Sequence, residues 1–107
     1  MSWISICDLN ELTEGQGKFV LIDGFGLAVF LHQGKIHVMD DLCPHAGGDL
    51  SRGTIEDGCV LCPWHRWPFE LETGQMPDGS HGVRVYPTRI HKRPGHPDLL
   101  QADLPRF

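Results

Sequence analysis

No stretch of this 107-residue chain stays apolar for the roughly 18 residues that a membrane-spanning helix needs. The first eight residues, Met1 to Asp8, lack the basic start and long apolar run of a signal peptide, so the expected location is the cytoplasm, away from any membrane. A basic block is missing too. Nine Lys and Arg stand against fourteen Asp and Glu, a formal charge of −5, which argues against nucleic acid and anionic membrane surfaces as partners. Apolar residues are not scarce: 40% hydrophobic and 21% charged residues exclude a disordered chain. The length leaves no room for a large multidomain enzyme, and no linker, repeat or low-complexity tract divides it. One domain, residues 1–107, is expected.

A helical period is also absent. What is there instead are short β-rich runs between turns. Trp3 to Ile6, Lys18 to Ile22, Phe25 to His32 and Lys35 to Met39 read as strands, with Gln33-Gly34 as a tight hairpin turn. Leu9 to Glu14 reads as one helical turn or an irregular loop. Asp40 to Arg52 is a loop rich in Cys, Pro, His and Gly. Cys59 to Leu61, Trp67 to Leu71, Val83 to Tyr86, Thr88 to Ile90 and Leu99 to Leu104 complete the pattern, with Pro87 marking an edge or bulge. Such spacing indicates an all-β fold, an antiparallel sandwich or barrel.

Four cysteines and seven histidines remain. In a reducing compartment, metal binding is a better default for the cysteines than a disulfide framework. Two loops share one grammar: Cys43-Pro44-His45-Ala46-Gly47-Gly48 and Cys62-Pro63-Trp64-His65-Arg66-Trp67. Each offers one thiolate and one imidazole, and 61 − 45 = 16 residues separate the pairs. On adjacent hairpins they can converge on one metal from opposite sides. Glycines at 47 and 48 let the backbone approach a bound group closely, and Pro44 and Pro63 stiffen the loops. Zinc also takes two Cys and two His, but usually as Cys-x₂₋₄-Cys followed by His-x₃₋₅-His rather than as interleaved short pairs. Cys59 and Cys7 are expected as small core residues on strands. His32, His37, His81, His91 and His96 have no partner spacing and are expected at the surface or in structural contacts.

Cys-x-His followed by Cys-x-x-His in this arrangement resembles the Rieske iron–sulfur family. The run Cys62 to Gly74 is similar to that family's second box with its strand and turn, and Leu50 and Gly53 fall where a Leu and a Gly follow the first box. The resemblance implies a Rieske-like fold whose cluster-binding subdomain presents two loops, about 43–50 and 62–67, and one [2Fe-2S] cluster. It implies Cys43 and Cys62 on the inner iron and His45 and His65 on the outer one. Trp64 and Trp67 would cover the cluster, or else guide electrons and dock a partner. Arg66 stands where the family commonly has Gly, on a docking face or simply in solvent. Asp40-Asp41 reads equally as an acidic docking patch or a turn pair.

High-potential members of the family tie their loops with a second Cys pair and add Ser and Tyr hydroxyls near the cluster. Here those positions hold Gly48, Trp64, Trp67 and Phe69, which resembles the low-potential class. The implied role is a Rieske ferredoxin, an electron carrier and not an enzyme. Its partners would be a flavoprotein reductase and a terminal oxygenase, a dioxygenase component among them. The alternative is the small subunit of an assimilatory NADH-dependent nitrite reductase, whose partner would be the large subunit.

Overall fold

Leu27, Ala28, Val29 and Phe30 are all wholly inaccessible, which requires protein on both faces of the strand that carries them. The computed structural model, which describes residues 2–44 and 48–105, supplies a layer on each side. That strand, β3 (Phe25–His32), lies in a four-stranded antiparallel sheet with β2 (Gly17–Ile22), β4 (Lys35–Asp40) and β8 (Val85–Tyr86), ordered β2-β3-β4-β8. One face packs on a three-stranded sheet, β1 (Ser2–Asp8), β10 (Leu99–Leu104) and β9 (Thr88–His91). The other faces a smaller sheet, β5 (Thr54–Glu56), β6 (Cys59–Leu61) and β7 (Pro68–Glu70).

Alternation along β3 divides the interior into two cores. Leu27 and Val29 join Ile6, Cys7, Val38, Tyr86, Leu100, Ala102 and Leu104 in the outer core. Ala28 and Phe30 join Met39, Leu50, Val60, Phe69, Leu71, Met76 and Val83 in the inner one, together with Cys43 and Cys62. Both loops expected to carry chemistry therefore rest on the inner core.

The all-β expectation holds, with local differences. Leu9–Glu11 forms a single 3₁₀ turn, whose capping box joins the Asp8 N–H to Glu11 Oε2 at 2.8 Å. Val83 and Arg84 stay outside the ladder, leaving Val85 and Tyr86 to pair with Met39 and Val38. β5 was not expected at all. It pairs with β6 across Asp57-Gly58, both at positive φ (52° and 77°), the conformation of a tight hairpin turn. The Asp-Gly pair was the available signal, and the short Thr-Ile-Glu run before it was too brief to register. Among the described residues no helix is long and apolar enough to cross a membrane.

Candidate metal centre

The first loop leaves β4 and returns through a 3₁₀ turn, Leu50–Arg52. An isolated bridge joins Leu42 to Asp49, and the Cys43 N–H donates to the Gly48 carbonyl at 2.9 Å. The second loop connects β6 to β7. Its base is the Cys62 N–H donating to the Trp67 carbonyl at 2.9 Å, and the Arg66 N–H donates to the Cys62 carbonyl at 3.0 Å. Two consecutive non-glycine residues, His65 and Arg66, turn the chain in the left-handed region, at φ 66° and 57°. Such a pair costs backbone energy and persists only where surrounding contacts impose it.

This geometry brings Cys43 and Cys62 together. Both are buried, at 1% and 0% exposure, and their thiols lie within hydrogen-bonding reach of each other. All four cysteines of the chain are free. Burial pushes the Cys62 thiol up, the Trp64 backbone N–H opposes this, and the Cys43 thiol adds to the rise. A metal that takes these sulfurs as thiolates would release their protons. His65 is exposed at the tip of the second loop. His45 lies outside the described residues, and among the described residues no three His, Cys, Asp or Glu side chains gather at one point.

The donor set at this place fits an iron–sulfur group. A Cβ placed on Gly48 would run into the Trp64 indole and stand 2.9 Å from Cys62 Sγ, so a glycine there lets the two loops meet closely beside that sulfur. Gly48 and Trp64, which carry no cross-loop disulfide here, thus meet face to face across the two loops. A soft donor pair, buried and side by side, with an exposed imidazole on the rim, is the donor chemistry such a group needs. Leu50 is fully buried, and a Cβ on Gly53 would collide with the Leu61 carbonyl, so both residues serve the packing of the first loop on β6.

The two tryptophans differ in setting. Trp67 packs against the inner core and meets His81 at a tilt of 52°, with ring centroids 4.9 Å apart. Trp64 is 58% exposed and Leu42 64%, so each loop carries one exposed large apolar side chain. Arg66 reaches Glu56 at 3.1 Å in an exposed ion pair. Cys7 and Cys59 are buried on β1 and β6, as expected, and burial raises both thiols. His37 is half-buried and bonds the Leu71 carbonyl; desolvation lowers it toward the neutral form. The Asp40-Asp41 pair is not a docking patch. Asp40 accepts from the Tyr86 hydroxyl at 2.6 Å, and Asp41 is buried at 4% exposure. Asp41 is the residue the sequence hid, since nothing in its neighbours distinguishes it from a solvated turn.

Comparison with known proteins identifies the domain. The family model for the Rieske [2Fe-2S] domain matches residues 2–87. The anthranilate 1,2-dioxygenase ferredoxin subunit of Burkholderia cepacia is 36% identical over 90 residues, covering 82% of this chain and 83% of its own length. A solved structure assigned as the NADH-dependent nitrite reductase small subunit of Mycobacterium tuberculosis superposes with a TM-score of 0.82 at 27% identity, over 98% of this chain and 97% of its own. The ferredoxin of carbazole 1,9a-dioxygenase from Nocardioides aromaticivorans IC177 shares the fold, with a TM-score of 0.80 at 23% identity over 95% of this chain and 98% of its own. With its two Cys-His loops on a matching all-β frame, the chain belongs to the Rieske [2Fe-2S] domain family.

Proposed function

We propose that this chain is a one-electron carrier that holds a [2Fe-2S] cluster through Cys43, His45, Cys62 and His65. Such a cluster supplies a one-electron couple, and its two neutral imidazoles raise the potential above that of an all-Cys cluster. The chain's own contributions are separable. Cys43 and Cys62 offer buried sulfurs at the base of the loops. Trp67 and Phe69, the latter fully buried, keep water from the inner side. His65, Leu42 and Trp64 are exposed, within reach of a partner protein. Four protein ligands leave no open position for a substrate, so the reading is a carrier and not an enzyme.

The observation that carries this reading is the pair of buried, adjacent, unbridged thiols beneath two loops that each also bear a histidine in sequence. A relative that is the ferredoxin subunit of an anthranilate dioxygenase supports a ferredoxin of an oxygenase system; in this reading the chain works in the cytoplasm between a flavoprotein reductase and a terminal oxygenase. A second reading, the small subunit beside a nitrite reductase large subunit, is favoured by the end-to-end match to the Mycobacterium tuberculosis structure. No nucleic acid or membrane partner enters either reading.

Purified protein should contain about two irons and two acid-labile sulfides per chain and show a Rieske-type paramagnetic signal on reduction. With no hydroxyl at Trp67 or Phe69, the potential should lie near about −150 mV rather than about +300 mV. Zinc in place of iron after anaerobic reconstitution would overturn the cluster, and a potential above zero would overturn the low-potential class. Electron delivery to an oxygenase or to a nitrite reductase large subunit decides between the two partner systems.

A further inference from the structure

We infer that Asp41 is a positioning residue that clasps the first loop shut and holds Cys43 in its ligating place. The inference rests on the reading of the two loops as a cluster site. Among the described residues, Asp41 and Ser51 are the two buried polar residues, and the Asp41 carboxylate accepts from both the backbone N–H and the hydroxyl of Ser51. Three polar groups of Asp41 are engaged. Its N–H donates to the Gly26 carbonyl at 3.0 Å, which anchors the loop to β3. Its carbonyl accepts from the Leu50 N–H at 2.7 Å, and its Oδ1 accepts from the Ser51 N–H at 2.7 Å. The Asp49 carboxyl also lies within hydrogen-bonding reach of the Asp41 side chain.

These donors belong to the start of the 3₁₀ turn Leu50–Arg52, where backbone N–H groups have no partner within the turn itself. The residue placed to cap them locally is Asp49, yet its side chain makes no capping bond. Asp41 accepts instead, from the opposite arm of the loop. A local cap would steady only the turn. A cap supplied from ten residues upstream ties the two arms of the loop to each other. Cys43 lies two residues beyond the clasp, and its own N–H is bonded to Gly48 just inside the other arm. Freeing the clasp leaves a buried N–H without an acceptor and lets the Cys43 sulfur move relative to Cys62.

The test compares loss of visible absorption to an iron chelator in the cluster-loaded protein, together with the linewidth of the paramagnetic signal. Asp41→Ala removes the acceptor and should lose the cluster about tenfold faster, with a broadened signal, as outer-shell partners of metal ligands do. Asp41→Asn keeps an oxygen for the Ser51 N–H and should stay within about threefold of wild type. Should Asp41→Ala not accumulate as folded protein, Asp41→Glu gives the same decision: it keeps the charge but displaces the acceptor, so faster loss is expected. Leu100→Ala, destabilised in the outer core, should leave both readouts near wild type. Wild-type rate and linewidth in Asp41→Ala or Asp41→Glu would overturn the clasp, as would Asp41→Asn failing as badly as Asp41→Ala. A wild-type chain that never takes up iron would instead sink the cluster reading itself.

Discussion

The two halves of this molecule are built on opposite terms. The outer half, around Leu27, Val29, Val38 and Leu100, uses strands of six to eight residues in β1, β2, β3, β4 and β10 and closes on an aliphatic core. The inner half has three strands of three residues each, with two loops fixed by isolated hydrogen bonds and left-handed turns. Its core contains Cys43 and Cys62, the two cysteines proposed as ligands. The two buried polar residues, Asp41 and Ser51, and the two consecutive left-handed residues, His65 and Arg66, sit beside or within the loops where the metal would bind, which makes these loops the less autonomous half.

The largest expected effect breaks the inner half alone. Cys43→Ser or Cys62→Ser should abolish iron and sulfide retention, whereas Cys59→Ser, at a thiol outside that pair and on β6 rather than in a loop, should retain both; elemental analysis and visible absorption decide it. In apo protein, hydrogen exchange should accelerate first in segments 42–50 and 62–67, while β2, β3 and β10 keep their protection. Uniform exchange over the whole chain would show that the halves are not separable.

The converse break is smaller. Leu27→Ala empties a fully buried site in the outer core and should cost about 2–5 kcal/mol in denaturant unfolding. The potential and paramagnetic signal of the loaded protein should not follow. A shifted potential would mean that the outer core sets the geometry of the loops.

Tyr86 joins the halves, since it sits in the outer core and donates to Asp40, the last residue of β4 before the first loop. Burial, and then the Asp40 carboxylate, push its phenol up to about 12 from 10. A raised folded value means that the stability it lends is complete below pH 10 and is lost as pH climbs through about 12. The chain has one tyrosine, so ultraviolet phenolate absorbance reads this group without overlap from another. Asp40→Asn should lower the midpoint; an unchanged midpoint would leave burial as the whole cause.

The smallest effect tests strain in the second loop. Arg66→Gly relieves a left-handed residue at φ 57° and gives up an exposed ion pair, so a net gain of about 0.5 kcal/mol is expected in thermal unfolding. A loss of stability would show that the Arg66–Glu56 contact outweighs the backbone.

Local signals in the amino-acid order were enough for a good part of this protein. The Cys-Pro-His and Cys-Pro-Trp-His loops were legible because ligand, stiffening proline and partner imidazole lie within a few residues of one another. The strands Phe25–His32 and Leu99–Leu104 were legible because an unbroken or alternating apolar pattern is itself a local property. Tertiary structure alone decided which side of β3 each residue serves, since Leu27 and Ala28 are equally apolar but enter different cores. It also decided that Asp40 and Asp41, alike in sequence, part company, one on a tyrosine hydroxyl and one on a backbone N–H ten residues away. The physical reason is the same in both cases. A side chain's chemistry is written in its own residue, but its desolvation and its hydrogen-bond partners come from segments distant in the chain.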